Sequence, residues 1–422
     1  MTSPPGGLAH SWLKSLEPLR VDLGLGRIEA LLDRLGRPER AFHSLHVAGT
    51  NGKGSTCAMV AAALRAAGRR TGLYSSPHLV RFEERIQVDG EAIEPAALEA
   101  GLSAVREAAR GLPLTYFEAG TALAFWHFRE AGVQAAVVET GLGGRLDATN
   151  VVSPLAVGIT ALGLDHTEIL GPTLAHIARE KAGIFKPAAP AVVAEPPPEA
   201  RPVLEARARE LSCPLFVQGR DFALEAAGGS LRYRGPRWRL DGVRVGLLGP
   251  HQLQNAAVAL ALLEQADPVL GIGAAAALRG VAEARWPGRL ERFFRGPIEV
   301  VLDGAHNPHG AAALARAIHE LWPSRPIRLV FGLLADKDAT PMLEAIFPLS
   351  ASAHLAPPDS PRARMPEEIL AAASALCPRT ERHATVRAAL EAALSEAAPG
   401  DLVLACGSLY LVGEVRALLA GA

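Results

Sequence analysis

The sequence predicts an α/β protein of two domains with a mainly parallel sheet. Short apolar runs rich in Val, Leu and Ile alternate with Ala-rich helical stretches, which is the pattern of successive βαβ units. At 422 residues the chain is too long for one typical hydrophobic core. Glycine and proline interrupt the pattern at 286–297, so we expect the boundary there and assign the domains to residues 1–292 and 293–422.

The individual elements follow from the same alternation. In the larger domain we predict strands at Ser44–Ala48, Thr71–Tyr74, Ala135–Glu139, Leu155–Ala161 and Ala191–Ala194, and helices at Ser55–Ala67, Glu118–Ala131 and Ala256–Glu264. Short alternating runs with several glycines predict a small β insertion at Gln218–Gly246. In the smaller domain we predict strands at Ile298–Asp303, Ile327–Gly332 and Leu402–Cys406, and helices at His309–Leu321 and Arg387–Glu396.

Composition excludes several classes of protein. The formal net charge of −1 gives no reason to expect nucleic acid or a membrane surface as a partner. The four cysteines are far apart in the chain, which argues against a structural zinc site or a disulfide framework and indicates a reducing compartment. No stretch reaches the roughly 20 apolar residues of a membrane span. We therefore expect a cytoplasmic protein without nucleic-acid or membrane partners. We also expect a monomer.

A glycine-rich loop follows the first predicted strand and precedes a helix. Such a loop directs backbone N–H groups and a helix N-terminus at one point, as a polyphosphate requires. Lys53 could reach the terminal phosphates, and the hydroxyl of Ser55 or Thr56 could contact a metal ion. Gly54 separates Lys53 from Ser55, so the loop departs from the usual GxxxxGK[ST] spacing. A plain glycine turn is the alternative. The predicted ATP-binding residues here are Gly49, Thr50, Asn51, Gly52, Lys53, Gly54, Ser55 and Thr56.

Three further polar residues follow predicted strands. Ser76 comes after the strand ending at Tyr74, Glu139 ends its own strand, and His166 follows the strand that ends at Ala161. The carboxyl ends of parallel strands share one sheet edge, so these groups are expected beside the glycine-rich loop, where they could hold Mg²⁺. Taken singly, each has another interpretation: a turn residue for Ser76, a cap for Glu139 and a hydrogen-bonded loop residue for His166.

Lysine is rare in this chain. Only Lys14, Lys53, Lys181, Lys186 and Lys337 are lysines among the 43 basic residues. A lysine is therefore expected where arginine cannot serve, because lysine is a compact point charge with a titratable amine. By position alone, Lys181 could also be a helix-end lysine that interacts with the helix dipole.

These segments together resemble the folylpolyglutamate synthase/dihydrofolate synthase family of the Mur ligase superfamily. The resemblance extends from residue 24 to residue 408 and is carried by 46–55, 75–79, 139–150, 164–167, 179–185, 287–289 and 303–308. It implies a P-loop domain of the Mur ligase type followed by a smaller Rossmann-like domain. It also implies an ATP-dependent amide ligase, in which ATP phosphorylates the carboxylate of dihydropteroate or of a folate glutamate tail and L-glutamate attacks the acyl phosphate.

The resemblance also implies roles for individual residues. It implies that Lys53 binds the ATP phosphates and that Ser76, Glu139 and His166 bind Mg²⁺. It also implies that Lys181 is carbamylated and acts as a metal-binding anion. ATP would further contact Asn255, Arg289 and Asp303, and His306 would lie beside the nucleotide at the domain interface. The catalytic set is then Lys53, Lys181, His166, Asp303 and His306. Pterin or folate would contact Thr115, Phe117, Arg145 and Asp147.

Other functions remain open at this point. A peptidoglycan-type Mur ligase would share the chemistry but generally carries a UDP-sugar domain before the loop, and only 48 residues precede Gly49. A P-loop kinase or nucleotide switch would lack the segments around Glu139 and His166. Dihydropteroate and reduced folates are both open as substrates, singly or together.

Overall fold

The computed structural model describes residues 8–16 and 21–421, which form two compact units. The first contains the described residues up to His78, together with Phe82–Gly246 and Leu253–Arg285. The second contains Leu79–Arg81, Leu247–Gln252 and the described residues from Trp286 onward. Within these described ranges no helix combines the length and the apolar character that crossing a bilayer demands.

The first unit is built on an eight-stranded sheet. Its strand order is β4-β3-β2-β5-β1-β6-β7-β8, with β3 and β4 antiparallel and the other neighbours parallel. The strands are β1 His43–Ala48, β2 Thr71–Tyr74, β3 Ile86–Val88, β4 Glu91–Ala92, β5 Ala135–Glu139, β6 Ala156–Ile159, β7 Ala191–Val193 and β8 Leu215–Val217. A separate three-stranded sheet contains β9 Ala223–Ala227, β10 Ser230–Arg234 and β11 Arg239–Val243.

Helices connect the parallel strands of this unit. They are α1 Leu8–Ser15, α2 Gly26–Arg34, α3 Lys53–Ala66, α4 Pro95–Ala108, α5 Tyr116–Glu130, α6 Thr167–Leu170, α7 Leu174–Lys181, α8 Arg201–Glu210, α9 His251–Leu270 and α10 Ala274–Glu283. Strand β5 is buried along its whole length, as a strand covered on both faces must be. One core of the unit packs Tyr74 with Phe125 and Phe128.

The strand order places the candidate segments side by side. Strands β2, β5, β1 and β6 are consecutive neighbours and run parallel, with Tyr74 paired to Val138 and Val47 paired to Glu139. Their carboxyl ends therefore lie along one edge of the sheet, the side on which open α/β sheets bind ligands. Ser76, Glu139 and the glycine-rich loop follow three adjacent strands of that edge.

The second unit has a six-stranded sheet of order β12-β13-β17-β14-β15-β16, in which only β12 is antiparallel. Its strands are β12 Glu291–Arg295, β13 Ile298–Leu302, β14 Ile327–Phe331, β15 Ser352–Leu355, β16 Thr380–Arg382 and β17 Leu402–Cys406. Its helices are α11 Pro308–Leu321, α12 Ala339–Ile346, α13 Leu370–Leu376, α14 Val386–Glu396 and α15 Leu409–Ala420. Both faces of the sheet are covered by apolar cores.

The predicted α/β fold with mainly parallel sheets is confirmed, and the β insertion is present. The largest difference is α9, predicted to span Ala256–Glu264, which extends from His251 to Leu270 and contains Pro268. The main segment of the second unit also begins before residue 293, which was the predicted start of the smaller domain. Strand β12 pairs with β13, and the Leu290 N–H donates to Asp303 Oδ2 at 3.0 Å, so residues 286–292 belong to this unit's packing.

Candidate active site

The glycine-rich loop after β1 approaches its neighbours too closely for side chains. Gly52 has φ +88°, and a Cβ there would lie 2.2 Å from Asn255 Oδ1. A Cβ at Gly49 would lie 1.8 Å from Thr160 Oγ1. Glycine is therefore required at both positions by steric contact and by a positive φ, which is +155° at Gly49. Asn255, a predicted nucleotide contact on α9, thus packs against the loop.

The loop is tied to the segment after β6. Thr50 Oγ1 donates to the Gly163 carbonyl at 3.0 Å and accepts from the Gly163 N–H at 3.1 Å. Thr160 Oγ1 donates to the Asn51 carbonyl at 2.8 Å. These hydrogen bonds fix the loop's conformation, which preorganises it for the phosphates.

Helix α3 begins at Lys53, so its first backbone N–H groups emerge from this loop. Lys53 Nζ donates to the carbonyls of Gly49 and Thr50, each at 3.2 Å. Ser55 and Thr56 are buried. Thr56 Oγ1 has no hydrogen-bond partner among the described residues. A buried hydroxyl without a partner is costly, and a ligand at the loop would satisfy it.

Lys181 lies against the same loop. It is the last residue of α7 and only 4% exposed, and its Nζ donates to the Gly49 carbonyl at 2.7 Å. Burial lowers the pKa of Lys181 to about 7, assisted by the positive charge of Lys53 and opposed by Asp165 and Asp147. An amine with this pKa is substantially neutral at physiological pH, which is the form that reacts with CO₂.

The three predicted metal ligands differ in exposure. Glu139 is 4% exposed at the end of β5, and Ser76 is half-buried beyond β2. His166 is exposed, has φ +50°, and places its Nε2 3.9 Å from Asp165 Oδ1. Strand order brings Ser76 and Glu139 to adjacent positions at the sheet edge. His166 lies three residues beyond Gly163, which is hydrogen-bonded to the loop.

The segment after β5 is organised by Asp147. Its Oδ2 accepts from the N–H groups of Gly141 and Leu142 at 2.9 and 2.8 Å. Its Oδ1 accepts from the Thr149 N–H at 3.0 Å and from the Thr149 hydroxyl. Both oxygens of this predicted pterin contact are therefore used to shape its own loop. Arg145, by contrast, is largely exposed and pairs with Glu180 at 2.9 Å.

A buried histidine, His46, contacts the loop that Asp147 shapes. His46 Nε2 donates to Thr149 Oγ1 at 2.8 Å, because the threonine hydroxyl is itself donated to Asp147. Burial lowers the pKa of His46 to about 3, so the ring is neutral. Its Nδ1 has no hydrogen-bond partner in the described part of the chain.

Aromatic side chains lie next to the loop after β5. The Phe117 and Tyr74 rings stack with centroids 6.1 Å apart, and a Cβ at Gly141 would lie 2.5 Å from the Phe117 ring. Thr115 caps α5 by exchanging hydrogen bonds with Glu118. Of the predicted pterin contacts, the structure thus groups Phe117 with the loop shaped by Asp147 and gives Thr115 a capping role.

The second unit contains the other predicted nucleotide contacts. Asp303 is 6% exposed; its Oδ2 accepts from the Leu290 N–H at 3.0 Å and its Oδ1 from the Ala305 N–H at 2.9 Å. The guanidinium of Arg289 packs against Gly304, and a Cβ at Gly304 would lie 2.1 Å from that guanidinium. His306 Nδ1 lies 2.8 Å from the Gly304 carbonyl. Arg289, Asp303 and His306 therefore form one local group.

Sequence reasoning missed two contributors, Thr160 and His46. Thr160 packs against Gly49 and donates a hydrogen bond to the Asn51 carbonyl. Its sequence context at the end of a strand carries no recognisable signal. His46 lies within the segment preceding the glycine-rich loop, and a histidine between the apolar residues Leu45 and Val47 of a predicted strand is a detectable signal. It supports the loop after β5 rather than the phosphate loop.

Comparison with known families matches both parts of the chain. Residues 47–263 match the model of the Mur ligase middle domain, and residues 288–409 match that of the Mur ligase glutamate ligase domain. The chain is 36% identical over 412 residues to the dihydrofolate synthase/folylpolyglutamate synthase of Escherichia coli, covering 97% of this chain and 95% of that protein. It is also 40% identical over 425 residues to a probable bifunctional folylpolyglutamate synthase/dihydropteroate synthase of Haloferax volcanii, where the match spans 97% of this chain but half of that longer protein.

Solved structures agree with the same assignment. The fold matches Escherichia coli FolC in complex with DHPP and ADP with a TM-score of 0.91 and 35% identity, covering 99% of both chains. It matches the bifunctional folylpolyglutamate synthase/dihydrofolate synthase of Yersinia pestis, complexed with AMPPNP and a manganese ion, with a TM-score of 0.89 and 33% identity. That match covers 99% of this chain and 100% of the other.

Proposed function

Because the chain belongs to the folylpolyglutamate synthase/dihydrofolate synthase family of Mur ligases, it is an ATP-dependent amide ligase, and we propose that one active site adds L-glutamate both to dihydropteroate and to the glutamate tail of reduced folates. It uses ATP and Mg²⁺ and acts on small molecules. The proposal for two substrates is supported by Escherichia coli and Yersinia pestis proteins whose names carry both activities.

The observation that carries the proposal is the contact between Lys181 and the phosphate loop. A simple nucleotide switch needs the loop and Lys53, but it does not need a second, buried amine against the Gly49 carbonyl. An amide ligase must activate a carboxylate beside the nucleotide, and a neutral amine at this position can become an anion that helps to hold a divalent cation there. The arrangement therefore favours the ligase over the kinase or switch alternative.

The residues present fit a nucleotide with a divalent cation. The loop from Gly49 to Ser55 and the N-terminus of α3 supply N–H donors for phosphates. The Thr56 hydroxyl, which has no hydrogen-bond partner within the described ranges, is at hand to contact them or the cation. Glu139, buried at the adjacent strand end, supplies the hard oxygen that Mg²⁺ prefers, with Ser76 and His166 completing the proposed set. When bound, Mg²⁺ neutralises charge on the transferred phosphoryl group.

Lys181 is the proposed carbamylation site. The neutral amine can attack CO₂ and lose one proton to give a carbamate, which places an anion where the unmodified side chain is neutral or cationic. The change suits the site, because the buried ammonium is disfavoured next to the charge of Lys53. A carbamate at this position would offer oxygen ligands for a divalent cation, as the carboxylate of Glu139 would.

Chemistry in this enzyme depends on positioning. Lys53 and the loop hold the γ-phosphoryl group in line with the pterin or folate carboxylate, which attacks to give an acyl phosphate and ADP. The amine of L-glutamate then attacks the acyl carbon, and phosphate leaves. No side chain needs to act as a nucleophile, so orientation and charge stabilisation account for the catalysis.

The remaining residue roles are proposals of the same kind. Asn255, Arg289 and Asp303 bind the nucleotide, and His306 acts beside it. Thr115, Phe117, Arg145 and Asp147 form the pterin side, with Asp147 acting by shaping the loop on which Phe117 packs. We also propose a cytoplasmic location and a monomeric state without nucleic-acid or membrane partners.

Glu139→Gln tests the proposed cation site. The substitution keeps the side-chain size but removes the charge, so the Mg²⁺ concentration for half-maximal activity should rise by roughly tenfold or more, while the unfolding temperature changes little. Glu168→Gln, an exposed substitution on α6, is the matched control. A Mg²⁺ titration of Glu139→Gln that superimposes on the wild type would remove Glu139 from the site.

The substrate proposal is tested with purified protein, ATP, Mg²⁺ and L-glutamate. Dihydropteroate and tetrahydrofolate should each stimulate ADP release and yield the corresponding glutamyl amide. If one site serves both, dihydropteroate should inhibit glutamylation of tetrahydrofolate competitively. Stimulation by only one substrate would reduce the proposal to a single activity, and stimulation by neither would contradict it.

A further inference from the structure

A cluster of metal-ligating side chains lies in the second unit. His354, Glu381 and His383 each offer a ligand atom, and these atoms all lie within 4.8 Å of one another. His354 is on β15, Glu381 is on β16, and His383 follows β16 by one residue. Strands β17 and β14 separate this region from β13, which Asp303 follows. The cluster is thus distinct from the nucleotide contacts of the same unit.

The sheet register accounts for the convergence. In the parallel pairing of β15 with β16, His354 is directly opposite Glu381. His383 lies two residues beyond Glu381, and its N–H continues the ladder by donating to the Leu355 carbonyl at 2.8 Å. Because side chains alternate along a strand, Glu381 and His383 face the same side as His354. All three therefore project from one face of the sheet.

The distance between the two imidazoles fits a shared ion. His354 Nδ1 lies 3.1 Å from His383 Nε2. Two nitrogens bound to one tetrahedral zinc ion at 2.0–2.1 Å are about 3.3 Å apart, so little movement is needed to admit the ion. A hydrogen bond between the two rings would give a similar distance, and the two cases are separated by experiment below.

The other ring nitrogen of His354, Nε2, faces a carboxylate, as the second nitrogen of a metal-binding histidine commonly does. The His354 ring is completely buried, and its Nε2 faces Glu396 Oε2 at 3.5 Å without making a hydrogen bond to the described residues. Ser352 Oγ donates to the same carboxylate oxygen at 2.7 Å and so holds it in place. A carboxylate behind a histidine ligand fixes the ring orientation and strengthens the ligand.

The cluster is accessible from solvent. Glu381 is exposed and His383 is half-buried, and both Glu381 and Glu396 border an open depression that is also lined by Arg328 and Arg379. An ion could enter from this side, and a water molecule could complete its coordination.

We propose that His354 Nδ1, His383 Nε2 and a Glu381 carboxylate oxygen bind one divalent transition-metal ion, best matched by zinc, with Glu396 orienting His354. Two nitrogen ligands favour zinc over magnesium, which prefers oxygen. The ion joins the edge strand β16 and the residue after it to β15, so it stabilises the outer part of this sheet. The proposal does not depend on the ligase assignment.

The test is titration of the purified full chain with Zn²⁺ in saturating Mg²⁺, followed by calorimetry and thermal unfolding. Wild type should bind one zinc ion that His383→Ala does not bind, and zinc should raise the unfolding temperature of wild type only. His319→Ala, an exposed histidine on α11, is the matched control and should bind like wild type. His383→Ala removes no core side chain, and its activity with Mg²⁺ should stay unchanged.

A second variant examines the orienting carboxylate. Glu396→Gln should weaken zinc affinity by about 10–100-fold, and X-ray absorption of the wild-type complex should show two imidazole ligands at about 2.0–2.1 Å. Equal zinc binding by His383→Ala and His319→Ala would overturn the proposal. So would the absence of zinc binding in wild type, which would leave the two rings as a hydrogen-bonded pair.

Discussion

Replacing Lys181 with alanine is expected to abolish ligation. The variant loses the amine that contacts the Gly49 carbonyl and, with it, the proposed carbamate beside the phosphate loop. Loss of a charged group that orients the transferred phosphoryl group should lower kcat by roughly 10³-fold or more. Steady-state ADP release with either pterin substrate measures the effect.

Three variants at this position separate chemistry from packing. Lys181→Ala leaves space, so added short carboxylates should restore part of the activity if an anion is the missing group. Lys181→Arg keeps a cation that cannot take up CO₂, so it should be as inactive as Lys181→Ala. Lys181→Met should fold with an unfolding temperature close to that of wild type, because the buried position favours an uncharged side chain. Wild-type activity in Lys181→Arg would eliminate the carbamate.

The pH dependence of the site follows from the lowered pKa. The Lys181 pKa is about 7, against an ordinary value of 10.5, so the fraction of Lys181 with a neutral amine increases as pH rises through 7. CO₂-dependent activity should therefore increase between about pH 6 and 8. Since the unfolded chain keeps this proton up to about pH 10.5 and the folded chain does not, the contribution of Lys181 to stability also rises with pH between these values.

The second large effect is expected for Lys53→Ala. The Lys53 ammonium donates to two loop carbonyls at 3.2 Å, and these weak contacts can be exchanged for phosphate oxygens. Its charge stabilises the transferred phosphoryl group, so kcat should fall by about 10²–10³-fold. Single-turnover measurement of ADP formation gives the value for the chemical step. Fold stability should change by only about 1–3 kcal/mol.

The Lys53→Ala substitution should also change the pKa of the neighbouring Lys181. The positive charge of Lys53 contributes to the low pKa of Lys181, so its removal should move the Lys181 pKa toward the ordinary value. The pH dependence of residual activity should then shift to higher pH. Lys14→Ala, an exposed substitution on α1, is the control and should match wild type in both measurements. A Lys53→Ala enzyme within a few-fold of wild-type kcat would contradict the assignment.

Local sequence patterns predicted much of the fold because apolar runs mark strands that are buried on both faces. Ala135–Glu139 and Leu402–Cys406 have the predicted bounds for this reason. Helix α9 was predicted at Ala256–Glu264, whereas it extends from His251 to Leu270 and continues through Pro268. Its central residues Ala256–Leu263 are completely buried, so tertiary packing stabilises the helix.

The site was predictable only in part, because its geometry depends on strand order. Sequence places Ser76, Glu139 and the glycine-rich loop at strand ends, but only the order β2-β5-β1 makes them neighbours. The contact between Lys181 and Gly49 joins residues 132 positions apart and has no local signal. His354 and His383 escaped notice for the same reason, since their meeting depends on the pairing of β15 with β16.

The most direct test of the central claim follows oxygen from the substrate carboxylate. Dihydropteroate labelled with oxygen-18 in its carboxylate is incubated with the enzyme, ATP, Mg²⁺ and L-glutamate, and the phosphate released is examined by mass spectrometry. If the carboxylate is activated as an acyl phosphate, each phosphate carries one labelled oxygen. Phosphate without label, released at the rate of amide formation, would contradict carboxylate activation by this enzyme.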